Sequence, residues 1–382
     1  MPWKVTDPMN ERLQFLAAHQ DGLFSMTELC QRFAISRKTG YKWIERYQQE
    51  GLDGLKDQSH ATRACPHQMP PQVQQALLDT RKQHPTWGPK KLLPYLAKRQ
   101  PELALPAAST VGDLLERQGL TQPKRRRRTH QHPGTVSMVA DTPNAVWSTD
   151  FKGQFRTGDG EYCFPLTVTD NHSRFLLGCH ALPSVEQAGV FPVFTRLFQE
   201  YGLPAAIRTD NGNPFATNAI RGLSKLNVWW IKLGIVHQRI SPGQPQQNGR
   251  HERMHRTLKA ETTRPPDRNQ AAQQVRFDAF RAEFNEERPH EALDQKTPAS
   301  VYVASLCPMP SCLPPPEYAA HLEVRRVSRA GTFRFHSRQI FLSDALIHED
   351  IALEEVADGL WSLYFYTVLL ARMDERDYKI SG

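Results

Sequence analysis

The sequence has 382 residues, 39% of them apolar, and a formal net charge of +8. That length suits two or three domains with cores of ordinary size. No apolar run reaches the roughly 18 residues a membrane span needs, Met1–Asn10 lacks the apolar centre of a secretion signal, and the basic excess favours a polyanionic partner.

Residues 9–50 predict three helices, Met9–His19, Met26–Phe33 and a third running to Glu50 from Ser36, whose hydroxyl is a natural N-cap. Leu29, Phe33, Ile35, Trp43, Ile44 and Tyr47 recur at helical spacing. Two short helices around a tight connection at Ala34–Ile35 suggest a helix-turn-helix domain over residues 1–55. Its third helix carries Arg37, Lys38, Thr39, Tyr41 and Lys42 early, where they could reach phosphates and base edges in a major groove. A plain three-helix bundle with a charged face is the alternative.

Residues 51–70 read as a linker. A second helical domain follows over 70–121, with helices Gln72–His84, Pro89–Arg99 and Ser109–Gln118 punctuated by Pro85, Pro101 and Pro106. It reads as a further helix-turn-helix-like unit or as a packing or dimerisation unit. Residues 122–140 form a basic linker in which Lys124, Arg125, Arg126, Arg127 and Arg128 repel one another until they meet phosphates.

Between 141 and 305 the pattern changes. Strands are expected at Ala145–Phe155, Tyr162–Asp170, Arg174–Ala181, Ala205–Thr209 and Gly234–Ile240, with helices at Ser184–Tyr201, His251–Ala260 and Val275–Arg288. This alternation predicts an α/β domain, a mixed sheet with helices on both faces. After the Pro-rich run 308–316, residues 317–382 predict a small β-barrel from strands Glu323–Ser328, Thr332–Phe335, Gln339–Leu342, Asp350–Val356 and Trp361–Leu370. The six cysteines, Cys30, Cys65, Cys163, Cys179, Cys307 and Cys312, make no paired CxxC clusters, so free thiols in a reducing compartment are expected.

Three acids of the α/β domain stand where metal chemistry would want them. Asp150 lies within a strand in WSTDF, Asp210 ends a strand in RTDNG, and Glu252 opens a helix in NGRHER after the loop Ser241–Gly249. Cleaving a phosphodiester needs an activated water, a stabilised leaving oxygen and relief of phosphate charge, which two Mg²⁺ ions on carboxylates can supply. No other Asp or Glu stands between Asp210 and Glu252. Glu252, Arg256 and Lys259 share a helix face, placing cations for flanking phosphates beside the acid. Each acid also has a plain reading: a hydrogen-bonded strand Asp, with Asp170 as rival, a turn at Asp210–Gly212, and a surface Glu–Arg pair.

Taken in order, WSTDF, RTDNG followed by Phe215, and SPGQPQQNGRHER resemble the integrase core of IS481-like insertion-sequence transposases, related to IS3-like and retroviral integrases. The resemblance runs nearly the full length. It implies an RNase H-like core with a five-stranded mixed sheet, a carboxylate triad at Asp150, Asp210 and Glu252, and Mg²⁺ or Mn²⁺, two ions with DNA bound. It further implies a bacterial, cytoplasmic enzyme that binds the ends of its element and cuts and joins strands, as a homo-oligomer on double-stranded DNA. The interval from Asp210 to Glu252 is longer than is typical of the family, and Ile220–Trp230 reads as a local insertion. The alternatives are a domesticated, catalytically silent DNA-binding regulator and a general nuclease.

Overall fold

The structure, a computed structural model, describes residues 7–57, 69–121, 140–217, 222–240 and 249–381, in two compact units, Met1–Gln68 and Met69–Gly382. In the first unit, α1 (Pro8–Gln20), α2 (Met26–Arg32) and α3 (Arg37–Glu50) each begin at a side-chain cap. Ser25 and Glu28 form a reciprocal capping box, and Ser36 Oγ accepts from Thr39 N at 3.1 Å, so helix donors without intrahelical partners are satisfied locally. The chain reverses between α2 and α3 at Ala34, whose φ of 54° lies in the left-handed region. Phe15, Leu16, Leu29, Cys30, Trp43 and Leu55 make the core. Gly40 lets α3 close on it, because a Cβ there would sit 2.8 Å from Cys30 Sγ and 3.0 Å from Phe15 Cζ.

The second unit opens with α4 (Pro71–Gln83), α5 (Pro89–Arg99) and α6 (Ala108–Arg117), packed around Leu77, Trp87, Leu92 and Val111. This bundle sits on the α/β domain: His84 Nδ1 meets Glu283 at 2.9 Å and Lys91 Nζ donates to the Pro289 carbonyl at 2.6 Å.

The sheet is built from β1 (Val146–Phe151), β2 (Phe155–Arg156), β3 (Tyr162–Asp170), β4 (Leu176–Leu182), β5 (Ala206–Thr209) and β6 (Val236–Arg239). Its long path runs β4–β3–β1–β5–β6, with β3 antiparallel to β1 and β4, and with β5 and β6 parallel to β1. This is the mixed five-stranded sheet implied by the resemblance. The two-residue β2 is an addition, since the single strand expected over Ala145–Phe155 is broken at Lys152–Gln154. Alternation along β3 feeds both faces. Leu166 and Val168 join Trp147 beneath α7 (Gln187–Tyr201) and α8 (Lys225–Lys232), while Cys163 meets α9 (Gly249–Thr262) and α10 (Gln270–Glu286).

Ile220–Trp230, read from sequence as an insertion, contains most of α8, and its described part is integral to the packing. Leu226 and Trp230 enter the α/β core, while Val228 and Ile231 enter the core of the C-terminal region. A helix apolar on two faces has to be covered on both. The salt bridge of Lys232 with Glu349, at 2.8 Å, ties the same helix to that region.

The C-terminal region comprises β7 (Glu323–Arg326), β8 (Thr332–Phe335), β9 (Arg338–Phe341), β10 (Asp350–Ala357), β11 (Leu360–Phe365), β12 (Val368–Asp374) and β13 (Ile380–Ser381). The ladders form an antiparallel sheet, β13–β12–β11–β10–β7, and a separate β8–β9 hairpin over one shared core. Among the described residues these ladders do not join into the closed ring expected of a β-barrel. The strand expected over Trp361–Leu370 is two, reversed at Tyr366, whose φ is 52°.

Candidate active site

Strand pairing brings the two aspartates together. β1 and β5 run parallel with Val146 opposite Ala206 and Ser148 opposite Arg208. Carried two residues further, that register sets Asp150 opposite Asp210, which directly follows β5. Gly212 belongs to the turn beyond, where a Cβ would stand 3.0 Å from Asp210 Oδ2, and its N–H donates to Asp210 Oδ1 at 3.2 Å. Glu252 comes from the exposed side of the first turn of α9. Asp150 and Glu252 line one open pocket of ≈ 450 Å³ with Lys152, His255, Arg256 and Lys259.

The acids interact electrostatically. Burial, then the charge of Asp210, raise the Asp150 carboxyl to about 7, and Glu252 adds to the rise against the Phe151 N–H and Lys152. Such a set of hard oxygen donors, held in mutual repulsion, suits a divalent cation. Among the described residues, no three His, Cys, Asp or Glu side chains stand close enough to share one ion as they are.

The buried side of α9, next to Glu252, shows how its position is set. His251 and His255, four residues apart, lie buried against β3. His251 Nε2 and His255 Nε2 each lie 2.7 Å from Thr167 Oγ1, and His251 Nδ1 lies 2.9 Å from Thr169 Oγ1. Thr167 Oγ1 also donates to the Asp150 carbonyl at 3.1 Å. One proton arrangement satisfies these contacts: both imidazoles donate from Nε2 to Thr167, and Thr169 donates to His251 Nδ1. Burial lowers the two histidines to about 3 and about 2, so both are neutral near pH 7. His255 Nδ1 faces Asp150 Oδ2 at 3.8 Å, too far for a hydrogen bond.

This histidine pair was not singled out in the sequence, although its signal was visible. His251–Glu252–Arg253–Met254–His255 has the H-E-x-x-H spacing that puts two imidazoles on one helix face. Here that face turns inward onto threonine hydroxyls. Asp170, the rival acid, is buried at a corner, accepting from Asn144 N at 2.9 Å and from Ser173 N and Oγ at 2.7 and 2.6 Å.

The cations proposed for DNA fall in three places. Arg256 and Lys259 are exposed at the pocket. In the first unit Arg37, Lys38, Tyr41 and Lys42 are exposed on α3, whereas Thr39 is half-buried, its hydroxyl 2.9 Å from that of Ser36. Lys124, Arg125, Arg126, Arg127 and Arg128, like most of the basic linker, lie outside the described residues.

Residues 140–245 and 233–298 match the Integrase core domain family, residues 11–63 a Helix-turn-helix domain and residues 39–115 a Homeodomain-like domain. The uncharacterized 31.7 kDa protein of insertion element IS407 from Burkholderia multivorans is 29% identical over 164 residues, 41% of this chain and 54% of that protein. The match thus spans about half of that relative's length. The uncharacterized 39.2 kDa protein of insertion element IS476 from Xanthomonas euvesicatoria is 24% identical over 259 residues, 67% of each chain. The Gag-Pol polyprotein of avian reticuloendotheliosis virus is 31% identical over 118 residues, 31% of this chain and 10% of that protein. Among solved structures, the HTLV-2 integrase catalytic core domain in complex with magnesium is 14% identical, covering 42% of this chain and 98% of its own, with a TM-score of 0.33.

Proposed function

This chain carries helix-turn-helix domains and an integrase core domain and is related to insertion-element proteins and retroviral Pol polyproteins; from that premise we propose that it is a transposase that binds the ends of an insertion element and cuts and joins DNA strands. The convergence of Asp150, Asp210 and Glu252, far apart in sequence, on one neighbourhood carries this reading. These three would hold Mg²⁺ or Mn²⁺, two ions with DNA bound, relieving phosphate charge and making water a nucleophile at neutral pH. Arg256 and Lys259 would hold the phosphates flanking the scissile bond. The Thr167–His251–His255 network would hold α9 so that Glu252 faces the aspartates. Hydrolysis leaves a 3′-hydroxyl on the element; that oxygen then attacks a phosphorus of target DNA, the new 3′-O–P bond replacing the target strand's P–O3′ bond, whose oxygen leaves as a 3′-hydroxyl, with no covalent bond to the protein.

The same reading includes the domain division at 1–55, 70–121, 122–140, 141–305 and 317–382, with a barrel-like C-terminal domain. It also includes terminal-repeat binding by α3 and the basic linker, a homo-oligomer on double-stranded DNA, and a bacterial cytoplasmic location. Among the described residues no helix is long and apolar enough to cross a membrane.

Asp210→Asn should abolish Mg²⁺-dependent joining of end-containing DNA and leave binding intact. Normal joining by that variant would refute the mechanism. A silent regulator is the second reading, favoured by the spacing of the acids, which do not meet around one ion as they stand. It predicts end binding with no metal-dependent nicking at any protein concentration.

A further inference from the structure

A groove of ≈ 910 Å³ lies beside the acidic pocket, between the α4–α6 bundle, the turn after β3, α9 and the segment after α10. α9 separates the two cavities, and Arg256 lines both.

The groove is cationic. Lys91, Arg174, Arg253, Arg256 and Arg288 line it, against the acids Asp170 and Glu291. Both acids are engaged: Asp170 in the corner described above, and Glu291 with Lys90 at 2.6 Å. Of the cations, Arg288 pairs with Glu261 at 3.0 Å, while among the described residues Lys91 donates to a carbonyl, that of Pro289, and forms no salt bridge. Arg253 and Arg256 are exposed and, among the described residues, have no ion-pair partner. Burial and the neighbouring Arg288 lower Lys91 to about 8, outweighing the opposite pull of Glu261 and Glu291. Like charges crowded around a cavity this large are relieved by an anion that brings several charges at once.

We propose that this groove takes the phosphodiester backbone of a DNA duplex, with Lys91 of α5 and Arg253 of α9 as phosphate contacts and Arg256 shared with the acidic pocket. It rests on the transposase reading only in supposing that the same DNA continues into that pocket. The α4–α6 bundle then supplies part of the DNA path beside the catalytic domain as well as packing on it. Contacts of this kind position DNA without reading its sequence.

The test is the salt dependence of binding of the full chain to a fluorescein-labelled duplex of mixed sequence. Each phosphate contact contributes about 0.9 to the slope of log affinity against log salt, so Lys91→Met/Arg253→Ala should flatten it by about 1.8. Arg253→Ala alone, at an exposed position, should flatten it by about 0.9 even if the double variant folds poorly. Bound duplex should also protect Lys91 from amine acetylation, read by mass spectrometry. Unchanged slopes, or equal acetylation of Lys91 with and without DNA, would overturn the assignment. Asp210→Asn separates the two ideas. If it joins DNA normally while the groove variants still flatten the slope, the catalytic reading fails and the groove stands.

Discussion

Asp150→Asn should make the metal-free protein more stable at pH 8 and leave it nearly unchanged at pH 4. The ordinary carboxyl value is 3.8, and in the folded protein burial, Asp210 and Glu252 raise it to about 7. The folded state therefore keeps a proton on Asp150 that the unfolded chain has released. Stability is fully present below 3.8, falls as pH rises through the interval, and is lost above about 7. At about 1.4 kcal/mol for each tenfold step in proton affinity, that interval amounts to about 4 kcal/mol. The side chain is 22% exposed, and water reaching it reduces the gain, so about 2 to 4 kcal/mol is expected at pH 8. Asparagine keeps the shape and an oxygen for the Phe151 N–H but carries no charge. The assay is urea unfolding of wild type and variant with EDTA at pH 8, 6 and 4, followed by near-ultraviolet circular dichroism; comparing the two proteins at each pH cancels other titrations. Added Mg²⁺ should stabilise the wild type at pH 8 and the variant much less. A pH-independent difference between the two, or a variant less stable at pH 8, would show that burial and the neighbouring carboxylates do not hold a proton on Asp150 as described.

Two further outcomes follow from packing. Thr167→Val keeps side-chain volume but leaves the Nε2–H groups of His251 and His255 without an acceptor. Each buried unsatisfied donor costs about 1–3 kcal/mol, so chemical denaturation should show a loss of at least about 2 kcal/mol, and Thr167→Ser should recover most of it. Gly40→Ala would normally favour a helix, yet its Cβ would meet Cys30 Sγ at 2.8 Å. Overpacking at about 1–3 kcal/mol should win over a propensity gain of about 1 kcal/mol, lowering the melting temperature of the first unit.

Features encoded within one turn or one strand were legible from sequence. Ser36 caps α3 because its hydroxyl and Thr39 N are three residues apart whatever surrounds them, and β3 alternates because its side chains point to opposite faces. Asp150 could be placed within one strand and Asp210 at the end of another, but their opposition follows from the parallel register of β1 with β5, a pairing between distant segments. Glu252 could be placed on a helix, but not which side of that helix faces the sheet. The histidines at 251 and 255 decide that through Thr167 and Thr169, residues that look like ordinary strand formers. That α8 serves two cores was not legible, because such a helix has no single apolar stripe. The strand pair at Trp361–Leu370 was merged because Tyr366 turns the chain without a Gly or Pro to mark it.

The amino-acid order alone therefore determined the helix caps, the alternation of the strands, the basic excess and the presence of three well-spaced acids, all of which depend on neighbours within a few residues. Which acids face one another, which face of α9 is buried, and where the α4–α6 bundle leaves a cationic groove were decided only by tertiary structure. They depend on strand register and on helices docking across distant stretches of chain, and the energies that select them arise only when those stretches meet.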